Sequence, residues 1–248
     1  GNHALRHVRF CVFNKGSAPS VQPAAMRREG FRHKGRFLGQ WACTSMTPEP
    51  DQSPRLDLRE ACIIEATAII ESRGIESLSL REVARRLGVS HQAPYRHFPS
   101  RDHVLAEVIR RSFAEFAAAL NAPPQTDNIG ADALAMGIAY VNFALSRPLQ
   151  YRLIFGGALP DPERHGEMLQ GARAAFGVLQ KLLNRIFEQR GHPFDQEAID
   201  REALFIWSSL HGIVSLMRSD ALDTLELSPE TRNGFAMTAL QRVGIALG

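Results

Sequence analysis

From Leu56 to the end of the chain, apolar residues recur at intervals of three and four, which is the spacing of one face of an α-helix. Prolines and glycines interrupt this pattern at points where helices are expected to end. No segment shows the strict alternation of a half-buried strand. The sequence therefore predicts an all-α fold with nine helices: Leu56 to Gly74, Ser79 to Gly88, a short one after Ser90, Ser100 to Pro123, 129–146, 149–156, 161–190, 195–219 and 229–246.

The stretch from Leu78 to Arg101, LSLREVARRLGVSHQAPYRHFPSR, carries the signals of two short helices joined by a tight turn. Ser79 can cap the first helix, and Glu82, three residues later, can reach back to the cap. Gly88 follows the last periodic leucine, where a left-handed turn ends a helix at little cost, and Ser90 can cap the second helix. Two helices joined so closely cross steeply, which predicts a helix-turn-helix. The buried stripe of the first helix is Leu80, Val83, Ala84 and Leu87.

The pattern apolar-Ser-Leu-Arg-Glu-Val-Ala-x-x-Leu-Gly-Val-Ser-x-x-x-x-Tyr-x-His-Phe-x-x-Arg resembles the DNA-binding domain of tetracycline-repressor-like (TetR-type) regulators. The resemblance covers about 58–120 at motif level, and more weakly the helical remainder. It implies that Tyr95 and Arg101 hold DNA phosphates and that the residues between Ser90 and Tyr95 lie against bases. Arg101 replaces the more usual Lys and keeps its charge. Pro94 replaces an aliphatic residue and lacks an N–H, so the recognition helix is expected to be short.

The expected partner is a double-stranded DNA operator, whose major groove receives the start of the short second helix. His97 is either a phosphate contact or a polar surface residue. Arg81, Arg85 and Arg86 form either a solvated face or a set in which one residue reaches the phosphate backbone. Phe98 is expected in the core. The expected DNA-binding residues are Ser79, Arg81, Ser90, His91, Gln92, Ala93, Pro94, Tyr95, His97 and Arg101.

Residues 1–54 show no sustained period and mix Arg, His, Gly, Pro and Ser with isolated Phe, Trp and Cys. They hold eight Lys or Arg against three acidic residues. The net charge of +3 and the pI near 9.0 thus come mostly from this tail and give no argument for DNA binding. We expect disorder here, or a gene-start artefact with natural translation from Met46. The alternative is a basic arm that adds nonspecific DNA affinity through Arg27, Arg28, Arg32, Lys34 and Arg36.

Pro123 and Pro124 break the fourth helix, and the domain boundary is placed there. Residues 1–54 are then a tail, and residues 55–121 a DNA-binding domain with its linking helix. Residues 122–248 are a helical domain for ligand binding and dimerisation.

The helices after this boundary are rich in aromatic residues. Most belong to a core, yet a helical domain with many rings and few buried charges can enclose an apolar cavity for a small-molecule effector, whose identity stays unknown. Trp207, His211 and Gly212 also resemble the Trp–His–Gly signature of one C-terminal regulatory domain of this family. His211 is either a ligand contact or a hydrogen-bonded core residue. The expected ligand-binding residues are Tyr140, Phe143, Tyr151, Phe155, Phe176, Trp207 and His211.

The last two long helices repeat apolar residues at spacings of four and three, as in the seams of a helix bundle. Leu204, Trp207 and Val214 lie off the main seam and add more apolar surface than one side can bury. We therefore expect a homodimer joined through a four-helix bundle, as in similar family members. The alternative is that these residues only complete the monomer core. The seams are Ile199, Ala203, Ile206, Leu210, Ile213 and Met217, and Ala236, Leu240, Val243 and Leu247.

The sequence gives no sign of catalysis, metal or cofactor. Cys11, Cys43 and Cys62 lack CxxC spacing and companion histidines, and the helical stripe places Cys62 in the core, where a thiol is inert. No HExxH, nucleophile elbow, Walker loop or dinucleotide fingerprint is present, so we expect no catalytic residues. No apolar run approaches a membrane span and no secretory signal begins the chain, which favours the cytoplasm.

These expectations combine into a bacterial, cytoplasmic, one-component transcription regulator. It binds an inverted-repeat operator as a homodimer, represses, and is released by a small-molecule ligand. The alternatives are a transcriptional activator and an architectural DNA-binding protein without ligand control. An architectural protein would not need about 125 residues of apolar helices after its DNA-binding domain.

Overall fold

A computed structural model describes residues 57–157, 159–191 and 194–246, and in these ranges the chain is helical without a β-strand. The predicted all-α class is confirmed. The expectations for residues 1–54, including the start at Met46 and the basic arm, lie outside the described residues. The helices are α1 (Leu58–Arg73), α2 (Leu80–Leu87), α3 (Arg101–Asn121), α4 (Ile129–Ser146), α5 (Pro148–Phe155), α6 (Gly166–Arg190), α7 (Gln196–Arg218), α8 (Ala221–Thr224) and α9 (Pro229–Ala246), with 3₁₀ turns at Ile75–Ser77 and Pro94–Arg96.

Two boundaries differ from the predicted ones. Helix α6 begins at Gly166, not at 161, because Pro162 keeps Asp161 out of helical backbone geometry and residues 161–164 form a turn. The short helix α8 was not predicted. It forms where the backbone N–H groups of Asp223 and Thr224 donate to the carbonyl of Asp220, at 3.0 and 3.1 Å.

Helix α2 has the predicted caps at both ends. At its start, the Glu82 N–H donates to Ser79 Oγ at 3.2 Å. At its end, Gly88 has φ 66°, a left-handed conformation that glycine adopts without strain, and its N–H bonds back to the last turn. The second half of the expected capping box is absent, because the Glu82 carboxylate instead accepts hydrogen bonds from Arg85 at 2.7 Å and Arg86 at 3.2 Å.

Helices α1, α2 and the first half of α3 pack around one hydrophobic core. Phe98 lies in this core, and so does Cys62, whose burial raises the pKa of its thiol. Both placements agree with the sequence expectations. A thiol held protonated and out of solvent is a poor nucleophile. The other core residues are Ile63, Ala66, Ile69, Ile70, Leu78, Leu80, Val83, Ala84, Val104, Leu105, Val108 and Ile109.

A network of ion pairs joins α1 to α3 beside this core. The Arg111 guanidinium donates two hydrogen bonds to the Glu60 carboxylate, both 2.6 Å. Arg111 Nε also donates to Glu107 at 3.0 Å, and Arg110 donates twice to Glu107 at 2.8 Å. Glu107 is buried, and these bonds hold the pKa of its carboxyl at about 2, the Arg110 bonds lowering it most. Bidentate arginine–carboxylate pairs fix orientation as well as distance.

Helix α3 continues from its packing against α1 into the C-terminal helices, where it packs along α6. Helix α6 passes close to α3 at Gly171. A Cβ there would lie 3.4 Å from Phe113 Cβ and 3.5 Å from the Arg110 carbonyl oxygen, so a side chain would be in full contact at once. Residues 52–248 form one compact unit, and the division between 121 and 122 stays a prediction.

Helix α4 packs against α3, α5, α7 and α9. Among the described helices it alone has the length and apolar composition of a membrane span, and 33% of that span is buried inside the protein. Asp132 near its start is buried and accepts hydrogen bonds from Thr126 and a 2.9 Å ion pair from Arg185. This carboxylate fastens the segment between α3 and α4 to α6.

Most seam residues of α7 and α9 are buried within the monomer, so they belong to the core of one chain: Ile199, Ala203, Ile206, Leu210, Ile213, Ala236 and Leu240. Met217 and Val243 are half-buried, and Leu247 lies outside the described residues. Leu240 reaches to within 3.0 Å of the Cβ position of Gly137, and the dimer stays a prediction. Val214, expected to be off the seam, is fully buried as well. Leu204, by contrast, is 61% exposed, and Phe205, expected in the core, is 47% exposed.

Glu107→Gln is expected to lower the free energy of unfolding by about 1.5–3 kcal/mol at pH 7, because hydrogen bonds between charged groups are replaced by weaker ones. A carboxylate with a lowered pKa stabilises the fold above its unfolded pKa, and loses this effect as the pH falls towards its folded value, here about 2. The difference between wild type and variant should therefore shrink by about half by pH 3. Urea unfolding followed by circular dichroism measures it, with the exposed Glu71→Gln as control. If the difference in free energy of unfolding between wild type and Glu107→Gln is the same at pH 7 and pH 3, the ionised Glu107 carboxylate does not stabilise the fold in this way.

Candidate functional site

The segment 90–98 follows the glycine turn and presents polar side chains outward. Its backbone closes in successive turns: the Ala93 N–H donates to the Ser90 carbonyl at 3.0 Å, and the His97 and Phe98 N–H groups donate to Pro94 at 3.0 and 2.9 Å. The segment is short, as predicted, but ends in a 3₁₀ turn instead of an α-helix. The side chains exposed on it are Ser90, His91, Gln92, Tyr95, Arg96 and His97, whereas Ala93 is half-buried.

Pro94 is almost completely buried, which corrects its assignment as a DNA-contacting residue. Its carbonyl accepts the two N–H groups that close the turn, and its ring completes the hydrophobic core. In this conformation it shapes the segment without reaching a base edge.

Tyr95 is exposed, and its hydroxyl makes no hydrogen bond within the described residues. A free phenolic hydroxyl beside an exposed turn suits a phosphate contact. Arg96, its neighbour, is also exposed and was absent from the predicted set. The signal in the sequence that could have identified Arg96 as a DNA-binding residue was its position directly after Tyr95.

Arg101, expected to hold a phosphate, has partners within the protein. Its Nε donates to the carbonyl of Leu78 at 3.1 Å and its Nη2 to the carbonyl of Ile75 at 2.8 Å. These bonds attach the start of α3 to the turn between α1 and α2. The guanidinium also lies 3.3 Å from the Asp102 carboxylate. Arg101 therefore positions the two helices in this structure, and a phosphate contact by its remaining N–H groups stays a prediction.

The other predicted groups of the DNA-binding surface divide into two kinds. Ser79 and Arg81 are exposed at the start of α2, although the Ser79 hydroxyl oxygen already accepts the capping hydrogen bond. Arg85 and Arg86 are paired with carboxylates, Arg86 also with Glu65 at 2.9 Å. The Arg85 hydrogen bond, with a smaller contribution from the Arg86 hydrogen bond, lowers the pKa of the Glu82 carboxyl to about 2.

The seven residues expected to bind a ligand come together in one aromatic cluster. Its centre is Phe116 on α3, which the sequence reading assigned to the linking helix. The Phe116 ring lies 5.3 Å from Tyr140, 5.1 Å from Phe143 and 5.7 Å from Phe155, measured between centroids. Further rings extend the cluster through the stacked pair Phe176–Trp207, 4.9 Å apart, and through Tyr151 and His211.

A hydrogen-bonded chain crosses this cluster. The hydroxyls of Tyr140 and Tyr151 lie 3.1 Å apart, and the Tyr151 hydroxyl is 2.7 Å from Nδ1 of His211. Burial raises the pKa of both tyrosines above the ordinary range, so both hydroxyls keep their protons at neutral pH. His211 is thus a hydrogen-bonded core residue in this conformation, one of the two roles left open from the sequence.

Two small apolar cavities lie beside the cluster, of about 20 and 30 Å³, each about the size of one water molecule. The first touches Phe116, Tyr140 and Trp207, and the second extends to Leu240 and Val243 of α9. Both are too small for a metabolite without side-chain movement. The wall between them is shared by Met136, Leu179 and Leu210, which line both cavities.

Among the described residues, no group of three or more His, Cys, Asp or Glu side chains is placed to hold a metal ion. Polar groups of the aromatic cluster bond to one another. The arrangement is that of a packed apolar core with one internal polar chain.

A turn-linked helix pair with an outward polar surface, braced by α1 and α3 and followed by a helical domain, defines a helix-turn-helix transcriptional regulator. Two family models match the chain: "Bacterial regulatory proteins, tetR family" at 63–108 and "Tetracyclin repressor-like, C-terminal domain" at 133–240. The chain belongs to the TetR family of DNA-binding transcriptional regulators. Neither description names the Trp–His–Gly subtype, which stays a prediction.

Relatives agree with this membership. The HTH-type transcriptional repressor KstR of Rhodococcus jostii is 29% identical over 183 residues, covering 69% of this chain and 81% of KstR. The HTH-type transcriptional regulator Rv1816 of Mycobacterium tuberculosis is 23% identical over 171 residues, covering 58% and 73% of the two chains. The crystal structure of a bacterial regulatory protein in the tetR family from Rhodococcus RHA1 has the same fold, with a TM-score of 0.55 at 21% identity over 75% of this chain and 96% of that one.

The exposed residues of segment 90–98 are expected to divide into base-reading and phosphate-holding groups. Gln92→Ala should change the preferred bases, weakening the best site by roughly 5- to 100-fold while leaving random DNA nearly unaffected. Tyr95→Phe should weaken both to the same extent. Arg101→Ala is unsuitable for this test because it also removes two structural hydrogen bonds.

The site is first selected from a random DNA library, and affinities are then measured by fluorescence anisotropy at fixed salt, with the exposed Gln170→Ala as control. Equal losses on selected and random DNA for both variants would show that the division is wrong.

Proposed function

We propose that this protein is a homodimeric one-component repressor that binds an inverted-repeat operator and releases it when a small apolar molecule enters the aromatic cluster. The observation that carries the proposal is the course of α3. One unbroken helix begins at Arg101, which is bonded to the turn between α1 and α2, and carries Leu120 beside the first cavity in its last turn. A change in side-chain packing at the cavity can therefore be transmitted along this one helix to the DNA-binding segment 90–98, which we call the recognition segment. The printed name of the relative KstR, a repressor, supports the sign of regulation.

The rest of the proposal follows from the family and the packing. Residues 55–121 act as the DNA-binding domain with its linking helix, and residues 122–248 as the domain for ligand and partner. The function is binding and not catalysis, and the setting is the bacterial cytoplasm. The cluster around Trp207 and His211 supports the Trp–His–Gly subtype.

The exposed face of α7 is proposed as the dimer interface. Leu204 and Phe205 protrude there, and the small residues Ser208, Gly212 and Ser215 follow on the same face. Large apolar side chains next to small ones let two helices approach closely while burying a continuous apolar strip. Helix α9, which packs on α7, would complete a four-helix bundle with the partner.

Phe205→Glu is expected to give monomers at micromolar concentration with unchanged helix content, because the charge would be buried only in the dimer. Operator affinity should fall by 100-fold or more, since two linked DNA-binding domains no longer share one site. Sedimentation and anisotropy measure the two effects. Leu225→Glu, an equally exposed apolar position away from α7, is the matched control. Wild-type protein that is monomeric at micromolar concentration, with full operator affinity, would refute the dimer.

Effector entry is proposed to occur by movement of the wall between the two cavities. Met136 is the most adaptable of the three wall residues, because an unbranched thioether chain has many accessible rotamers. Its displacement would merge the cavity at Phe116 with the cavity at α9, so one ligand would touch both α3 and the proposed dimer helices. A ligand that favours the DNA-incompetent state by about 1–3 kcal/mol lowers operator affinity roughly 5- to 150-fold.

Met136→Ala should therefore create one larger apolar cavity, at a cost of about 2 kcal/mol in stability. Indole is expected to raise the melting temperature of this variant saturably and to weaken its operator binding by fivefold or more. Leu153→Ala, at a buried position that lines neither cavity, is the control and should show no indole-dependent loss of operator binding. Indole binding that leaves operator affinity unchanged would favour a DNA-binding protein without ligand control.

A further inference from the structure

A further and much larger cavity, of about 330 Å³, lies between the DNA-binding domain and the start of α6. One side of it is lined by Arg59 of α1, by His97 at the end of segment 90–98, and by Arg110 of α3. Arg164 and His165, from the turn before α6, line it on the other. We call this cavity the interdomain cleft. It shares no lining residue with either apolar cavity, so the proposed effector site does not use it.

The lining of the cleft holds three arginines and two carboxylates. Arg164 is 81% exposed and Arg59 is 43% exposed, whereas Glu107 behind them is only 6% exposed. Both oxygens of Glu107 already accept hydrogen bonds from Arg110, at 2.8 Å each.

Two carboxylates at the cleft are exposed. One is Glu167, which lines it, and the other is Asp161, which lies 3.3 Å from Nε of Arg164. A ligand in the cleft therefore binds to the guanidinium N–H groups that these carboxylates do not occupy.

Histidines add further hydrogen-bond donors. His103 of α3 and His165 meet edge to face across the cleft, with ring centroids 4.9 Å apart, and His103 Nδ1 is held by the Ser100 hydroxyl at 2.8 Å. His97 lines the same cavity from the end of the recognition segment. Imidazole and guanidinium groups converging from two sides suit an anion with several oxygen acceptors.

We propose that the interdomain cleft binds a small polyanionic metabolite, one that carries two or more carboxylate or phosphate groups. A volume of about 330 Å³ lies within the range of small-molecule sites. Such a ligand would join Arg59 and His97 of the DNA-binding domain to Arg164 and His165 of the C-terminal domain. Joining them selects one relative orientation of the two domains, so the anion acts on operator affinity as a second input beside the apolar effector.

The test is isothermal titration calorimetry of the full-length protein without DNA, using citrate and inorganic pyrophosphate as separate probes at constant ionic strength. At least one probe should bind saturably with one site per chain. The double variant Arg164→Gln/His165→Gln should weaken that binding tenfold or more. Arg173→Gln, an exposed arginine farther along α6, should leave it unchanged. A preference for citrate identifies a carboxylate site, and a preference for pyrophosphate a phosphate site.

The proposal is overturned if neither probe binds saturably, or if the control and the double variant lose binding equally. It is also overturned if the double variant, without any probe, loses affinity for operator and random DNA alike with a shallower salt dependence. That result would show that these residues hold DNA phosphates. Calorimetry needs no operator, and the variants lie outside the aromatic cluster. A failed anion titration therefore does not affect the proposed repressor function, and a failed operator or indole experiment does not affect the proposed anion site.

Discussion

Helix α3 has to satisfy two hydrophobic cores with one set of side chains. Leu105 and Ile109 in its first half are buried among α1 and α2, while Phe116 and Leu120 in its second half are buried among the aromatic rings. Because protein interiors are close-packed, neither half can shift without a response from its own core. Every other helix belongs mainly to one side, so the two halves of the molecule are joined through this one rod and its packing on α6.

Polar interactions hold the N-terminal half of α3 rigidly against its neighbours. Arg111 and Arg110 on α3 bind carboxylates of α1 and of α3 itself, and Arg101 binds two carbonyls of the turn between α1 and α2. These bonds are charge-assisted and partly shielded from water, so breaking one partner would leave the other charge poorly solvated. The second end is held by dispersion and ring contacts, which adapt more easily to an inserted molecule. Stiffness at the DNA side and adaptability at the cavity side are the properties a ligand-responsive regulator requires.

Local signals in the sequence were enough for most of the helices and for both caps of α2, because Ser79 and Gly88 act on backbone groups within four residues of themselves. The aromatic cluster was also foreseen, since residues on long amphipathic helices have few places to be buried. The structural hydrogen bonds of Arg101 could not be foreseen in the same way. Its acceptors lie 23 and 26 residues earlier in the chain, and no local pattern reports such a distance. The partner of an apolar helix face could not be foreseen for a related reason: spacing shows that a face is apolar, but not whether the same chain or a second one covers it.

Helix α6 passes close to α3 at Gly171, where an added Cβ would lie 3.4 Å from Phe113 Cβ and 3.5 Å from the Arg110 carbonyl oxygen. Taking this place as the pivot of a tilt of α3 gives the helix two arms of different length. At about 1.5 Å per residue, the arm from Phe113 to Leu120 is about 10 Å and the arm from Phe113 to Arg101 about 18 Å. A tilt that moves the cavity end by about 1 Å therefore moves the DNA end by nearly twice as much, in the opposite direction. In the proposed dimer the two displacements would add, so the proposed ligand, by a sub-ångström adjustment around it, would change the spacing of the two segments 90–98.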